Sequence, residues 1–291
     1  MSLALRLLVI GTVALDRPVR LSGPLTPGAR LAGVSLDNAL QGRLGGGGAA
    51  AAAALHIAGC EVTLASIVAG DADGERALQL AAGIGADLRL VVRRPGSSRT
   101  TLILIDPAGE RTIIGLDLQP ASLPTSLPPP DERFDGVLVR SPYPGAAGWA
   151  AAARGPVVVH WPAPAYDGPA DIVVASEDDL SPEVLAAPHA AAAARFGDRL
   201  AWVVVTRGAE GATAFGPGDQ VCLCAPPARV VDTTGAGDVF AAALLAALAA
   251  GADIGRALAL GCAWGAATVA LDSSAPTDAV AGTFRLDLNA I

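Results

Sequence analysis

Apolar residues recur in two patterns along the 291-residue chain, and each predicts a different element. Short apolar runs bounded by glycine, proline or charge predict strands at Leu5–Ile10, Glu61–Val68, Gly136–Arg140, Pro156–His160, Asp171–Ala175 and Leu200–Thr206. Longer alanine- and leucine-rich runs predict helices: from the glycines at Gly45 through the alanines to Ile57, then Glu75–Ile84, Ala146–Arg154, about Pro182–Phe196, Val239–Ala250 and Ile254–Ala270. Strands interleaved with helices imply a parallel sheet covered on both faces. Two stretches break that rhythm. Thr12–Asp16 reads as a loop and Val19–Leu36 as strands leaving the main sheet, while Arg99–Ile105 and Glu110–Gly115, joined at Asp106-Pro107-Ala108-Gly109, predict a hairpin. Together these stretches, about 17–40 and 97–116, read as a small β lid. Ala228–Val231 reads as a short strand or strand end, and Pro120–Asp131, rich in Pro and Ser, as a connector.

Composition narrows the class. The chain is long enough for an α/β domain with an appendage, and alanine supplies much of its apolar half. Its longest uncharged stretch, Ala257–Leu271, is too short and too weakly apolar to span a bilayer, and no basic leader precedes Leu5, so a cytoplasmic protein is expected. A net charge of −8 argues against a nucleic-acid partner. Cys60, Cys222, Cys224 and Cys262 lack the paired spacing of a zinc site and are expected to be buried free thiols. The three histidines sit on separate elements and read as packed or solvated. Most informative is an absence: all twenty basic residues are arginine. Without lysine, a P-loop, a protein-kinase strand lysine and a pyridoxal Schiff base are all excluded.

The chemistry concentrates in Asp232-Thr233-Thr234-Gly235-Ala236-Gly237-Asp238, a glycine loop opening an apolar helix. Unpaired N–H groups and the helix dipole attract anions there, and Gly235 and Gly237 let backbone approach a phosphate. Asp238 is placed to take a proton from an attacking hydroxyl. A capped turn reads the short GxGD equally well, since the dipole alone favours an acid there by about 0.3–1 kcal/mol. Asp16 follows the first strand, where α/β proteins gather ligand groups, and also reads as a solvated loop carboxylate. Asp71 or Asp73 is expected to cap the helix that follows.

The longer string resembles the DTxGAGD signature of the PfkB-type, ribokinase-like carbohydrate kinases. Further motifs follow in order: Asp16, the Gly45-Gly46 pair, the turn at Gly70-Asp71, the lid hairpin, and Thr206-Arg207-Gly208-Ala209-Glu210-Gly211, which is similar to the family's T-x-G-x-x-G nucleotide loop. The resemblance implies one ribokinase-like three-layer αβα sandwich over 1–291, with a mainly parallel sheet and a β lid. It implies ATP-dependent phosphorylation of a hydroxyl on a sugar or sugar-like acceptor. Asp238 would be the base, and Gly235, Ala236 and Gly237 the anion hole. The nucleotide would meet Ser176, Thr206, Gly208, Gly211 and Thr234. The acceptor would meet Asp16, Gly45, Gly46, Thr100 and Asp238. Mg²⁺ would be reached through water from Asp179, and a monovalent cation such as K⁺ would lie beside Asp232. A homodimer through the lid is also within the resemblance. Two departures stand out: Ala50 and Ser176 occupy positions where the family has asparagine. They keep two alternatives open: a nucleoside or vitamin-precursor kinase of the same fold, and a nucleotide-binding protein without kinase activity.

Overall fold

The computed structural model describes residues 4–36, 42–108, 111–116, 126–163, 165–273, 275–277 and 282–286. Its strands are β1 (Arg6–Ile10), β2 (Ala14–Leu21), β3 (Gly33–Ser35), β4 (Arg43–Gly45), β5 (Glu61–Ala69), β6 (Val91–Arg94), β7 (Thr100–Ile105), β8 (Arg111–Leu116), β9 (Gly136–Val139), β10 (Val157–His160), β11 (Ile172–Ser176), β12 (Trp202–Thr206), β13 (Ala212–Phe215) and β14 (Gln220–Leu223). The helices are α1 (Gly47–Ile57), α2 (Ala72–Ala82), α3 (Ala146–Ala151), α4 (Pro182–Ala186), α5 (Pro188–Phe196), α6 (Ala236–Ala249) and α7 (Ile254–Thr268).

Nine strands form the main sheet in the order β14-β13-β12-β11-β10-β9-β1-β5-β6. From β12 to β6 all pairings are parallel; β12-β13 and β13-β14 are antiparallel. The central strands are apolar without interruption because both of their faces are covered. In β1, Leu7 and Val9 enter the core shared with α1, α6 and α7, while Leu8 and Ile10 enter the core on the α3 and α5 side. This is the expected three-layer αβα arrangement. Helices α1 and α6 are buried all round, which explains why neither sequence shows a polar face. Their alanines let them lie close to the sheet. One close crossing joins Gly11, just past β1, to Gly48 in α1: a Cβ on Gly11 would lie 2.6 Å from the Gly48 Cα.

The lid is a separate sheet in the order β3-β2-β7-β8, with β4 paired to β2. Strand β2 starts at Ala14, so Asp16 lies inside a strand rather than in the expected loop, held between Arg43 of β4 and Thr101 of β7. Of the expected Val19–Leu36 region, only the end of β2 and β3 are strand. Residues 37–40 of the lid, Gly109 and Glu110 of the hairpin turn and 120–125 of the connector lie outside the described residues.

Other expectations are corrected. Ala228–Val231 forms no strand; it runs alongside α7, with the Val231 amide donating to the Val269 carbonyl at 2.7 Å. The helix expected over 182–196 is broken between α4 and α5, because Pro188 forces Ala187 out of helical geometry to φ −150° and ψ 67°. Cys60 and Cys262 are buried as expected, but Cys222 and Cys224 are exposed, since β14 is the edge strand of the sheet. Asp71 caps α2, accepting from the Gly74 amide at 2.8 Å, and also accepts from the Ser98 amide at 2.8 Å. Asp73 instead pairs with Arg17 at 2.8 Å.

Candidate active site

The carboxyl ends of β1, β9, β10, β11 and β12 deliver Gly11, Arg140, His160, Ser176 and Thr206 to one edge of the sheet, where α/β folds gather ligands. The N-termini of α1 and α6 point to the same edge. Gly235 caps α6 in the left-handed region at φ 82°, a conformation that glycine adopts without strain. The turn from Asp232 to Asp238 thereby becomes a partition between two cavities.

The first cavity, about 220 Å³, lies under the lid. Thr234, Gly235 and Asp238 form its floor, Gly46, Gly47 and Ala50 the α1 side, and Asp16, Arg99, Thr101 and Ile103 the lid side. The second, about 520 Å³, is apolar and lies behind the loop. Thr206, Gly208 and Gly211 line one wall, Ala225 to Ala228 and Val230 another, and Thr233, Ala236 and Gly237 the edge it shares with the partition. Backbone amides at the start of α6 have no partners within the helix, although that of Ala236 makes a long 3.4 Å bond to the Thr233 carbonyl. A side chain on Gly237 would meet open space.

Asp238 is only 13% exposed and its Oδ1 accepts from Nε of Arg140. Both groups press on α1: a Cβ at Gly47 would lie 2.5 Å from Asp238 Oδ1 and 2.8 Å from Arg140 Nε. The third alanine-run glycine is therefore a spatial requirement of the acid–arginine pair. His160, next in the row of strand ends, is partly buried; burial first and the Arg140 guanidinium second push its imidazole down to about 4, against the opposing pull of Asp238 and Asp179. It is neutral at physiological pH.

The structure brings some of the expected site residues to the two cavities and leaves others outside them. Asp16 is buried beside the first cavity and so close to Gly45 that any side chain there would strike its carboxylate. Gly46 lines the cavity; Gly45 itself does not. Thr100 is displaced from its expected role. Strand period places Arg99, Thr101 and Ile103 on the cavity face, whereas Thr100 is buried on the other face, its hydroxyl 3.3 Å from Asp73. Ser176 ends β11 and lies outside the lining of either cavity, with Asp179 exposed in the turn after it.

Arg140, Gly47, Thr101, Arg43 and Arg111 are the members sequence reasoning missed. The signal for Arg140 was available: it immediately follows the parallel strand β9 at the carboxyl edge.

A nucleotide-borne Mg²⁺ fits the site. Such an ion keeps most of its shell in water and phosphate oxygens and needs one or two carboxylates nearby, and Asp179 and Asp238 both act on His160 from this edge. Bound there, it would neutralise charge on the nucleotide phosphates. A monovalent cation at Asp232 does not fit. Asp232 is 5% exposed, and its Oδ2 lies 3.0 Å from Arg43 while its Oδ1 accepts from the Thr234 amide at 2.8 Å and lies 3.7 Å from Arg111. Burial raises its pKa, yet Thr234, Arg43 and Arg111 outweigh that and hold it below the ordinary value. The carboxylate is already neutralised.

Among the described residues no helix is long and apolar enough to cross a membrane. The sequence pattern described as pfkB family carbohydrate kinase matches residues 163–278, which contain the T-x-G-x-x-G and signature loops. A fructokinase from Rhizobium leguminosarum bv. trifolii is 43% identical over 81 residues, 27% of this chain and 24% of that protein's length. Two solved structures share the fold nearly end to end. Arabidopsis thaliana ribokinase complexed with ribose and ATP aligns with a TM-score of 0.71 at 20% identity, covering 98% of this chain and 100% of that one. Escherichia coli phosphofructokinase-2 in complex with potassium aligns with a TM-score of 0.71 at 18% identity, covering 98% and 99%. The segment matched by that family pattern, 163–278, holds the signature loop, and the αβα sheet and the second sheet share the fold of these two solved structures.

Proposed function

We propose that the protein transfers the γ-phosphoryl group of ATP to a hydroxyl of a sugar or sugar-like acceptor. One observation carries the reading: the 232–238 loop separates an apolar cavity of nucleotide size from a polar one of monosaccharide size, with Asp238 facing the second. In this arrangement the acceptor hydroxyl attacks the γ-phosphorus, the bond to the β–γ bridging oxygen breaks, and the hydroxyl proton passes to Asp238. The amides of Gly235, Ala236 and Gly237 meet the charge that develops on the transferring group. Thr206, Gly208 and Gly211 border the nucleotide cavity, and Asp16 and Gly46 the acceptor cavity. Arg140 fixes the carboxylate of Asp238 and also borders the acceptor cavity.

Arg99 and Arg140 both line the acceptor cavity, which favours acceptors bearing a phosphate or carboxylate over neutral sugars and nucleosides. A coupled ADP-release screen over sugars, phosphosugars, sugar acids and nucleosides tests both statements. Transfer to none of them, with ATP still bound, would favour the nucleotide-binding protein without kinase activity. Exposed apolar residues on the lid strands, Val34 at 69%, Ile113 at 58% and Ile114 at 40%, support a homodimer through the lid, read out by light scattering of the wild type and of Val34→Asp.

A further inference from the structure

We propose that Arg43 is a built-in cation that orders the anion-binding loop, so that nucleotide binding and turnover need no potassium or other monovalent ion. The inference rests on the loop being the phosphoryl site. Three oxygen positions converge behind it: the Asp232 carboxylate, the Val231 carbonyl and the Asp272 carbonyl after α7. Oxygens gathered in this way would suit a hard monovalent ion. Two guanidinium groups meet them instead. Arg43 Nη2 lies 3.0 Å from Asp232 Oδ2, and its Nη1 donates to the Asp272 carbonyl. Arg111 Nη1 lies 3.7 Å from Asp232 Oδ1, and its Nη2 donates to the Val231 carbonyl.

A further ion would sit against two fixed positive charges and gain little from a carboxylate already paired. Arg43 also arrives with the fold. It lies on β4 opposite Asp16, so its head is carried to Asp232 by the same strand that supports the acceptor cavity. From there the order passes along the chain, because the Asp232 carboxylate holds the Thr234 amide at 2.8 Å, one residue before the cap of α6.

The test compares KCl with tetramethylammonium chloride at equal ionic strength, measuring nucleotide affinity by calorimetry, thermal midpoint and, with the best acceptor, turnover. For the wild type all three should agree between salts, with affinity and rate within about twofold. Arg43→Ala in tetramethylammonium should bind nucleotide about tenfold more weakly, as expected for a lost charge-assisted hydrogen bond, and KCl should restore most of the loss. Arg43→Lys keeps the charge and should remain indifferent to the salt. A wild type that gains fivefold or more in affinity from potassium, or an Arg43→Ala variant that behaves as wild type in both salts, would overturn the proposal. Should Arg43→Ala fail to fold, the wild type and Arg43→Lys still decide. Affinity and melting require no catalysis, so a chain that binds nucleotide without transferring phosphoryl would defeat the kinase reading and leave this result interpretable.

Discussion

Replacing Gly47 with alanine separates the proposed chemistry from the fold more cleanly than removing the acid. An added Cβ would lie 2.5 Å from Asp238 Oδ1 and 2.8 Å from Arg140 Nε, where ordinary contact begins near 3.4 Å. The Arg140 side chain is long and can swing away, but Asp238 is short and anchored in the first turn of α6. Its carboxylate has to retreat by about 1 Å, and a misplacement of that size in a reacting group can cost about 100-fold in rate. The stability argument runs the other way. Gly47 opens α1 and is not among the positive-φ glycines, so alanine is sterically compatible with its backbone and by helix propensity alone gains up to about 1 kcal/mol. The expected result is a kcat near 1% of wild type, with nucleotide affinity kept and the thermal midpoint unchanged or raised. Gly70→Ala, whose Cβ meets nothing within 4 Å, serves as the control and should retain full turnover. Gly47→Ala with wild-type kcat would show that the position of the Asp238 carboxylate does not limit the reaction. A fall in thermal midpoint matching the loss of rate would show that the effect is structural.

Asp238→Asn keeps the shape and removes the proton acceptor, so turnover should fall by about 10²–10⁴-fold while calorimetric nucleotide binding persists; near-wild-type turnover would remove Asp238 from the role. Acid should destabilise the fold through His160. Its pKa falls from the ordinary 6.5 to about 4 on folding, so between those values the unfolded chain binds more protons and stability rises with pH. That contribution is complete above about pH 6.5 and is lost towards pH 4, at most about 3 kcal/mol, and His160→Gln should flatten the midpoint-versus-pH curve across the window. Thiol titration of the native protein should show two fast groups, Cys222 and Cys224, and two slow ones, Cys60 and Cys262, whose thiols burial pushes up to about 11.

Much of this molecule is legible in its sequence where one kind of signal dominates. Strands buried on both faces, such as β1, β9 and β12, appear as plain apolar runs, and α1 and α6 as alanine stretches too long for strands. The signature loop is legible because glycine, threonine and aspartate interrupt an otherwise apolar passage. The lid is harder to read, because its strands are short and one face is open. A one-residue uncertainty in register there exchanges Thr100 for Thr101 at the cavity, and β4, only three residues long, has no periodicity to detect. Arg43, Arg111 and Arg140 escaped for another reason. Each is one charge whose meaning comes from a partner 98 to 189 residues away, at Asp232 or Asp238, and no local pattern names that partner.

The grip of Arg111 on the Val231 carbonyl joins a lid strand directly to the anion loop. Under the proposed function, an acceptor that shifts β8 would therefore be felt at the loop that receives phosphate, and by thermodynamic reciprocity ATP at that loop would be felt at the lid. Binding of either ligand should thus alter the affinity for the other, through a guanidinium that need touch neither of them.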